Sequence, residues 1–254
     1  MKIISFHLKG KMAHFRKYYS NSSALSYFVP PRTTICGIIA GLLGLGRDSY
    51  YIDFSLDNLK IALSSEKPIK KAMQKMNYLM INSKNDLNGF QDYHSQTPME
   101  LVIPQNIRGD YIDYKIWAIH KDSKVMDKMI EIFGKEENIY YKSVGSCMAF
   151  GTAFNSGWIE TKGIIEGRLM EELSQVTITS SIPADKVKEI KTTEMVKGSY
   201  RIIKEELPLE FDENRSITDR GLKDILINLS NNGIVAEVES YVKLEDGSNI
   251  VWME

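Results

Sequence analysis

The chain has 254 residues, of which 43% are hydrophobic and 26% charged, so it can bury the core of one large domain or two small ones. Its 32 basic and 33 acidic residues give a net charge of −1, which excludes a uniformly basic or acidic protein. The longest apolar run, at 33–46, is shorter than the roughly 20 residues that a bilayer span needs, so we predict a buried helix there. Cys36 and Cys147 form no CxxC pair, and the N-terminus lacks a signal-peptide pattern. We therefore expect reduced thiols and a cytoplasmic protein.

Charge is distributed unevenly along the chain. The first 47 residues contain seven basic side chains and no acid, since the first carboxylate is Asp48. The remainder therefore holds 25 basic against 33 acidic residues, a balance of −8. An asymmetry of this size predicts that the N-terminal part contacts an anionic partner. The seven basic residues are Lys2, Lys9, Lys11, Arg16, Lys17, Arg32 and Arg47.

The first part of the chain predicts alternating strands and helices. Strands are predicted at 2–9, 58–66, 111–120 and 148–161, and helices at 33–46 and 122–134. Thr33 or Thr34 is expected to supply the first N-cap oxygen, and Asp122 or Ser123 the second. Residues 72–82 fit either a strand or a helix, and the polar stretch 83–110 predicts an inserted excursion. The resulting βαββαβ order predicts an α+β protein with a ferredoxin-like (split-βαβ) domain.

The character of the sequence changes near residue 160. Short β-like runs follow at 174–182, 193–204, 234–244 and 249–253, with a predicted helix at 217–230. We therefore predict two parts, a domain at 1–160 and a smaller β-rich region at 161–254.

The segment 10–32 predicts a long functional loop. It combines cations with the aromatic residues Phe15, Tyr18, Tyr19, Tyr27 and Phe28, without a steady period. Cations and backbone N–H groups bind phosphates, and aromatic faces stack on unpaired bases, so the composition favours RNA or DNA as the anion. The alternative is a solvated basic loop whose aromatic side chains are fixed in the protein's own core. A third possibility is a scaffold whose basic loop contacts an acidic protein surface.

Most catalytic and metal-binding patterns are missing from the sequence. The four histidines have no i, i+4 pair and no neighbouring cysteine pair, so we predict no metal and no cofactor. There is no nucleophile elbow and no Walker lysine. His120-Lys121 could serve as an acid/base pair in metal-independent RNA cleavage, with Tyr50 or Tyr27 nearby. We favour the other interpretation, a strand end followed by a helix cap, because a general base is identified by its geometry.

The N-terminal residues resemble the CRISPR-associated protein 5 family, which belongs to the RAMP superfamily and supplies subunits of Cascade surveillance complexes. The resemblance rests on the opening strand and on the patterns Gly10-x-x-Ala13-x-Phe15-Arg16 and Tyr27-x-x-Pro30-Pro31-x-Thr33-Thr34-x-x-Gly37, which lead into an apolar helix. Looser similarity continues at Pro98–Pro104, Tyr140-Tyr141, Gly145-Ser146, Leu207-Pro208 and Arg215, with Val144 in place of the family's usual leucine. The pattern is most similar to the type I-B branch.

The resemblance implies a ferredoxin-like (RRM-like) domain with a protruding β-hairpin thumb, which we place at 83–110, and a smaller β-rich C-terminal part. Family members cap the 5′ handle of the CRISPR RNA, contact the backbone-forming and large subunits, and meet target DNA through the complex. One subtype cleaves its precursor RNA with Tyr, Lys and His, which leaves a metal-independent endoribonuclease as the alternative function. Most subtypes do not cleave, so we predict no catalytic activity.

The predicted RNA-binding residues come from two sources. The resemblance suggests Gly10, Phe15, Arg16, Tyr27, Arg32, Thr33, Thr34, Gly145 and Ser146. The composition of the loop and of the excursion adds Lys9, Lys11, His14, Lys17 and Arg108.

Overall fold

The computed structural model describes residues 1–20, 23–79, 81, 83–88, 94–139, 149–152, 154–195 and 200–254. The strands are β1 (Lys2–Gly10), β2 (Phe15–Arg16), β3 (Ser26–Tyr27), β4 (Leu59–Ser65), β5 (Ile69–Leu79), β6 (His94–Pro104), β7 (Ile112–His120), β8 (Asn138–Ile139), β9 (Gly157–Met170), β10 (Ser174–Ile178), β11 (Ile182–Pro183), β12 (Val187–Ile190), β13 (Ile202–Pro208), β14 (Leu222–Asn228), β15 (Ile234–Val238), β16 (Tyr241–Leu244) and β17 (Asn249–Ile250). The helices are α1 (Arg32–Leu42) and α2 (Ser123–Phe133), with 3₁₀ turns at Lys84–Asn88, Ala184–Lys186 and Thr192–Glu194. None of these helical segments is long and apolar enough to cross a bilayer.

The central sheet has the strand order β17-β16-β9-β1-β7-β4, with β8 added to β9 and every pair antiparallel. Side chains alternate between the two faces of a strand, so Phe6 and Leu8 of β1 share a face. That face packs against α1 and α2 in the main hydrophobic core, where the rings of Phe6 and Phe133 stack at 4.6 Å. The predicted strands at 2–9, 58–66 and 111–120 and the helix at 122–134 are confirmed. The second helix begins as predicted, because the Asp122 carboxylate accepts from the Lys124 amide at 2.7 Å.

The C-terminal part builds two three-stranded sheets, β10-β15-β12 and β11-β14-β13. Strand β9 runs through residue 160, pairing with β1 over residues 157–166 and with β16 over residues 167–170. Leu207 and Ile225 lie in the same buried cluster as Phe6. Side chains from both sides of the predicted boundary therefore share one core.

The helix predicted at 217–230 is wrong. Residues Leu222–Asn228 form strand β14, which pairs with β13 on one side and β11 on the other. Ile225, Ile227 and Leu229 are all buried, a spacing of two residues that belongs to a strand. Leu222, Ile225, Leu226 and Leu229 also fit a helical spacing. The two neighbouring strands decide the outcome because they satisfy the backbone of β14.

Strands β5 and β6 form a separate two-stranded antiparallel ribbon, in register from Ile69↔Pro104 to Leu79↔His94. The ambiguous segment 72–82 is therefore a strand over residues 72–79. Of the two strands of this ribbon, the predicted excursion at 83–110 contains only β6. The ribbon itself begins at Ile69, 14 residues before the predicted excursion. The ribbon lies between β4 and β7 along the chain.

The loop between β1 and α1 is fastened to the outer edge of β6. Ala13 and Val102 exchange two backbone hydrogen bonds of 2.9 and 2.8 Å. Ala24 donates to the Pro98 carbonyl at 2.9 Å and accepts from the Glu100 amide at 2.8 Å. Strand β2 lies between these two points and pairs with β3, which follows the second point, so the two strands form a hairpin.

His14 adds a side-chain hydrogen bond between the loop and β6. It is buried, and its Nδ1–H donates to the Glu100 carbonyl at 2.8 Å. Burial lowers the pKa of the imidazole below its ordinary value; the neighbouring Arg16 lowers it further, and Glu100 opposes the shift. The loop is therefore held most firmly when His14 is neutral.

Arg32 fixes the start of α1. It is only 1% exposed, and its guanidinium donates at 2.8–2.9 Å to the carbonyl oxygens of Leu209, Phe54 and Ser55, and also to that of Leu59. These acceptors lie on two stretches of chain, at residues 54–59 and at residue 209. Helix α1 has no side-chain N-cap, so the predicted cap by Thr33 or Thr34 is wrong. The Thr33 hydroxyl instead donates to Pro208 at 3.5 Å.

Replacing Arg32 is expected to destabilise the protein strongly. Arg32→Met leaves buried carbonyl oxygens without donors, and hydrogen bonds to a charged group contribute about 1.5–3 kcal/mol each. We expect the free energy of unfolding in urea to fall by about 3 kcal/mol or more. Arg47→Met is the matched control, because Arg47 is 80% exposed and pairs only with Asp48 among the described residues; its effect should stay within about 0.5 kcal/mol. Equal effects of the two variants would contradict this role of Arg32.

Acidification is expected to loosen the loop from the ribbon. Because the pKa of His14 is lowered in the fastened state, the released loop binds a proton more readily once the pH falls below the ordinary value of 6.5. The protection factors of the Ala13 and Val102 amides, measured by hydrogen exchange, should therefore drop between about pH 7.5 and about pH 5.5. His14→Asn offers an amide donor that does not titrate, so its protection factors should no longer change over this range. A pH dependence that persists in this variant would count against His14.

Candidate nucleic-acid interface

The hairpin β2–β3 separates the buried part of the basic loop from its exposed part. Phe15 and Tyr27 are cross-strand partners, and both side chains point into the core. The Phe15 ring meets Tyr114 edge-on at 5.9 Å, and Tyr27 is 1% exposed. Both rings are therefore covered by the protein's own side chains.

Two cations of the acid-free segment 1–47 are paired with acids from distant parts of the sequence. Lys9 is buried, lies 3.5 Å from an Asp113 carboxylate oxygen and forms an ion pair with Glu160. Hydrogen bonds from Lys162 and from Lys9 lower the pKa of Glu160 to about 2, so it is ionised at neutral pH. Lys17 pairs with Glu205 at 2.8 Å. The local excess of positive charge in the sequence is thus largely neutralised in space.

The predicted glycine and threonine positions also face the protein. A Cβ on Gly10 would lie 2.9 Å from the Phe150 ring, so glycine is required there by packing. Thr33 and Thr34 are half-buried at the start of α1. Gly145 and Ser146 lie outside the described residues.

An exposed cluster remains at the end of the β2–β3 hairpin. It consists of Arg16, Lys17, Tyr18 and Tyr19, which we call the tip cluster. Tyr18 and Tyr19 are 48% and 53% exposed, and their rings meet edge-on at 5.2 Å. Arg16 is exposed; one of its guanidinium nitrogens donates to the Ser20 carbonyl at 2.9 Å. No carboxylate pairs with Arg16 among the described residues, so its charge is available to a phosphate.

The aromatic and cationic groups of the tip cluster lie close together. The Lys17 ammonium lies 5.8 Å from the centre of the Tyr19 ring and 5.2 Å from that of Tyr27. The buried Tyr27 ring and the Glu205 carboxylate thus hold Lys17 beside an exposed tyrosine. A cation next to an exposed ring suits a nucleotide, which offers a phosphate and a base.

A second exposed basic group lies at the turn between β6 and β7. Lys11 is exposed and its ammonium donates to the Asp110 carbonyl at 2.7 Å. Arg108 is exposed in the same turn. Lys67 forms an ion pair with the Asp110 carboxylate, and its ammonium lies 3.9 Å from the centre of the Tyr111 ring. This group carries fewer free aromatic faces than the tip cluster.

The His120-Lys121 pair lies at the end of β7. His120 is buried; its Nε2 donates to the Asp53 carbonyl at 2.8 Å, and its Nδ1 accepts from the Asp122 amide at 3.0 Å. Both ring nitrogens are thus occupied by backbone groups. The imidazole holds the start of α2 against residue 53, and neither nitrogen is directed to solvent.

The sequence prediction included Arg16 and Lys17 but left Tyr18 and Tyr19 out of the site. Their signal was present as two adjacent aromatic residues in a segment with no apolar period, directly after two cations. Binding of RNA by any of the predicted residues stays a prediction.

Comparison with known proteins relates the first part of the chain to a described family. Residues 3–99 match the family described as CRISPR-associated protein (Cas_Cas5). The match spans β1, the basic loop, α1 and most of the ribbon, and it supports the resemblance over these residues. No curated protein matches the chain.

Solved structures show a similar fold. "Crystal structure of a CRISPR protein from Archaeoglobus fulgidus" superimposes with a TM-score of 0.55 at 12% identity, covering 98% of this chain and 99% of that one. A chain of a "CRISPR RNA-guided surveillance complex" gives 0.49 at 9% identity, covering 92% and 91%. A "Crystal structure of Cas protein" gives 0.45 at 9% identity, covering 89% and 94%. The first of these indicates that the whole chain shares the fold of a CRISPR protein.

Proposed function

We propose that the chain is a non-catalytic subunit of a type I CRISPR surveillance complex. In this proposal it belongs to the CRISPR-associated protein 5 family, in the type I-B branch, and caps the 5′ handle of the CRISPR RNA. It contacts the backbone and large subunits and meets target DNA through the complex. The observation that carries the proposal is the exposed aromatic and basic tip cluster, which lies within residues 3–99, the part that matches the family.

The architecture supports this proposal. Along the chain, β1, α1, β4, β7, α2 and β9 follow one another in a βαββαβ order, and the four strands lie side by side as β9-β1-β7-β4. We propose that this unit is the ferredoxin-like domain of the family. The ribbon β5–β6 is inserted between its second and third strands, and we propose it as the thumb.

The tip cluster offers the contacts that single-stranded RNA requires. Tyr18 and Tyr19 present exposed rings on which unpaired bases can stack, and such stacking contributes about 1–3 kcal/mol per base. Arg16, which is exposed, places a cation beside the rings for a flanking phosphate. A handle that is unpaired, rather than a duplex, is the partner that this arrangement favours.

The absence of catalysis is part of the proposal, and the hydrogen bonds of His120 support it. A general base needs a free nitrogen within reach of the 2′-hydroxyl, and both His120 nitrogens are held by backbone groups.

Removing the tip rings is expected to weaken RNA binding. Tyr18→Ala and Tyr19→Ala should each raise the Kd for a 5′-handle RNA by about 5- to 150-fold, which corresponds to a loss of about 1–3 kcal/mol of stacking. Arg16→Ala should also weaken binding and should make the slope of log K against log salt shallower by about 0.7, because one phosphate contact is lost. Fluorescence anisotropy with labelled RNA at several salt concentrations measures both quantities.

Conservative variants separate stacking from folding in this experiment. Tyr18→Phe and Tyr19→Phe keep the ring and should bind within about threefold of the wild type, since stacking does not need the hydroxyl. Arg47→Ala removes an exposed cation outside the tip cluster and should leave the salt slope unchanged. Wild-type affinity in the Tyr18→Ala, Tyr19→Ala and Arg16→Ala variants would refute the proposed interface.

The chain is expected to leave CRISPR repeat RNA intact. Repeat RNA incubated with the purified protein, with and without EDTA, should keep its length on a denaturing gel. Cleavage that persists in EDTA and disappears in His120→Ala would instead establish the ribonuclease alternative. The His120→Ala protein must first show a folded circular dichroism spectrum, because His120 also holds the start of α2.

A further inference from the structure

The two edges of the β5–β6 ribbon differ in what covers them. The outer edge of β6 is occupied by this chain, since Val102 and Glu100 bond to Ala13 and Ala24 of the loop. These contacts show that the ribbon accepts extended segments at an edge. The opposite edge belongs to β5.

The register of the ribbon determines where the backbone groups of β5 point. In an antiparallel pair, residues opposite each other either bond to one another or both point outward. Val102 and Glu100 point outward, so their partners Lys71 and Met73 also present their N–H and C=O groups away from β6. By the same alternation, Lys75 and Asn77 point outward too.

Only the beginning of this edge is closed. The Ile69 amide donates to the Leu229 carbonyl at 3.3 Å, and the Ile69 carbonyl accepts from Arg201. In the part of the chain that the structure describes, nothing bonds to the outward backbone groups of the residues that follow. These residues are Lys71, Met73, Lys75 and Asn77, and we call them the free edge.

The free edge lacks most of the devices that protect exposed strands. Strand β5 contains no proline, and its pairing with β6 shows no bulge. Met73, in the middle of the edge, is 55% exposed. The strand carries three lysines and no acid. Two copies of β5 side by side would bring like charges together, which disfavours self-association of this edge.

We propose that the free edge of β5 binds an extended acidic segment of a partner protein as an additional strand. Lys70 and Lys75 have no carboxylate partner among the described residues, so they are available to acidic side chains on that segment. Met73 lies on the same face of the strand as Lys75 and offers an apolar contact beside it, whereas Lys70 lies on the opposite face. The alternating N–H and C=O groups match a polypeptide, whereas an RNA phosphate would use the N–H groups and be repelled by the carbonyl oxygens. The proposal rests on the ribbon alone and does not require RNA binding by the tip cluster.

An alternating acidic peptide, Ac-(Glu-Val)₄-NH₂, is a direct probe of this edge. In the free protein, NMR-detected hydrogen exchange should show fast exchange at the Lys71, Met73, Lys75 and Asn77 amides. The intervening residues Ala72, Gln74 and Met76, which point to β6, should exchange slowly. Saturation with the peptide should slow exchange at the free edge by about tenfold or more, because each N–H then gains a carbonyl acceptor.

A proline substitution tests the backbone contact without breaking the ribbon. The Met73 amide points outward, so Met73→Pro removes a donor from the free edge but none from the β5–β6 ladder. This variant should fold and should lose peptide binding, whereas Met73→Ala keeps the N–H and should bind within a few-fold of the wild type. Lys75→Glu should bind the acidic peptide more weakly than the wild type and should bind Ac-(Lys-Val)₄-NH₂ better.

Three results would overturn the proposal. The first is protection of the free-edge amides in the protein alone, which would mean that the chain covers this edge itself. The second is peptide binding by Met73→Pro equal to that of the wild type, or no binding by either. The third is protection of this edge by a decauridylate RNA but not by the acidic peptide, which would assign the surface to RNA. Loss of handle binding in the tip variants affects none of these readouts, so this proposal and the proposed function fail separately.

Discussion

The backbone pairing between the basic loop and the edge of β6 determines which side chains of the loop can meet a partner. Two residues of the loop, Ala13 and Ala24, are held to strand β6 by four backbone hydrogen bonds. The chain turns back between them, and β2, which precedes the turn, pairs with β3, which follows Ala24. Side chains on the inner side of the hairpin enter the core, and those at its end remain outside. The position of the tip cluster is therefore a consequence of strand pairing rather than of composition.

Folding changes how much of the positive charge of residues 1–47 is available to a partner. The acid-free sequence of these residues indicated one continuous basic surface. In the structure Lys9 and Lys17 each meet a carboxylate from far along the chain, at Glu160 and Glu205, and Arg32 is surrounded by backbone carbonyls. An isolated cation in the interior is costly, so a basic segment that enters a core must acquire such partners. What remains for an anionic partner is a small surface at Arg16 and the neighbouring tip residues, and the exposed Lys11 near the turn between β6 and β7.

Elements with a clear local signal could be predicted from the sequence. Strand β1 shows alternation, and helix α2 shows a cap, an amphipathic period and a terminal glycine. The region 217–230 could not be predicted, because its apolar spacing fits both a helix and a strand and the choice depends on β11 and β13, which are distant in sequence. The burial of Phe15 and Tyr27 and the exposure of Tyr18 and Tyr19 likewise depend on how the loop pairs with β6. Local residue chemistry predicted a site in the loop, but only tertiary pairing separates the buried residues of the loop from its exposed ones.

Photocrosslinking tests the central claim most directly. A 5′-handle RNA that carries 4-thiouridine is bound to the chain, irradiated and digested, and the modified residues are located by mass spectrometry. The structure predicts crosslinks at Tyr18 and Tyr19, whose rings are exposed, and none at Phe15 or Tyr27, whose rings are buried. Crosslinks at Phe15 or Tyr27 without any at the tip would contradict the account, because they would require the loop to leave the ribbon and open its core to the RNA.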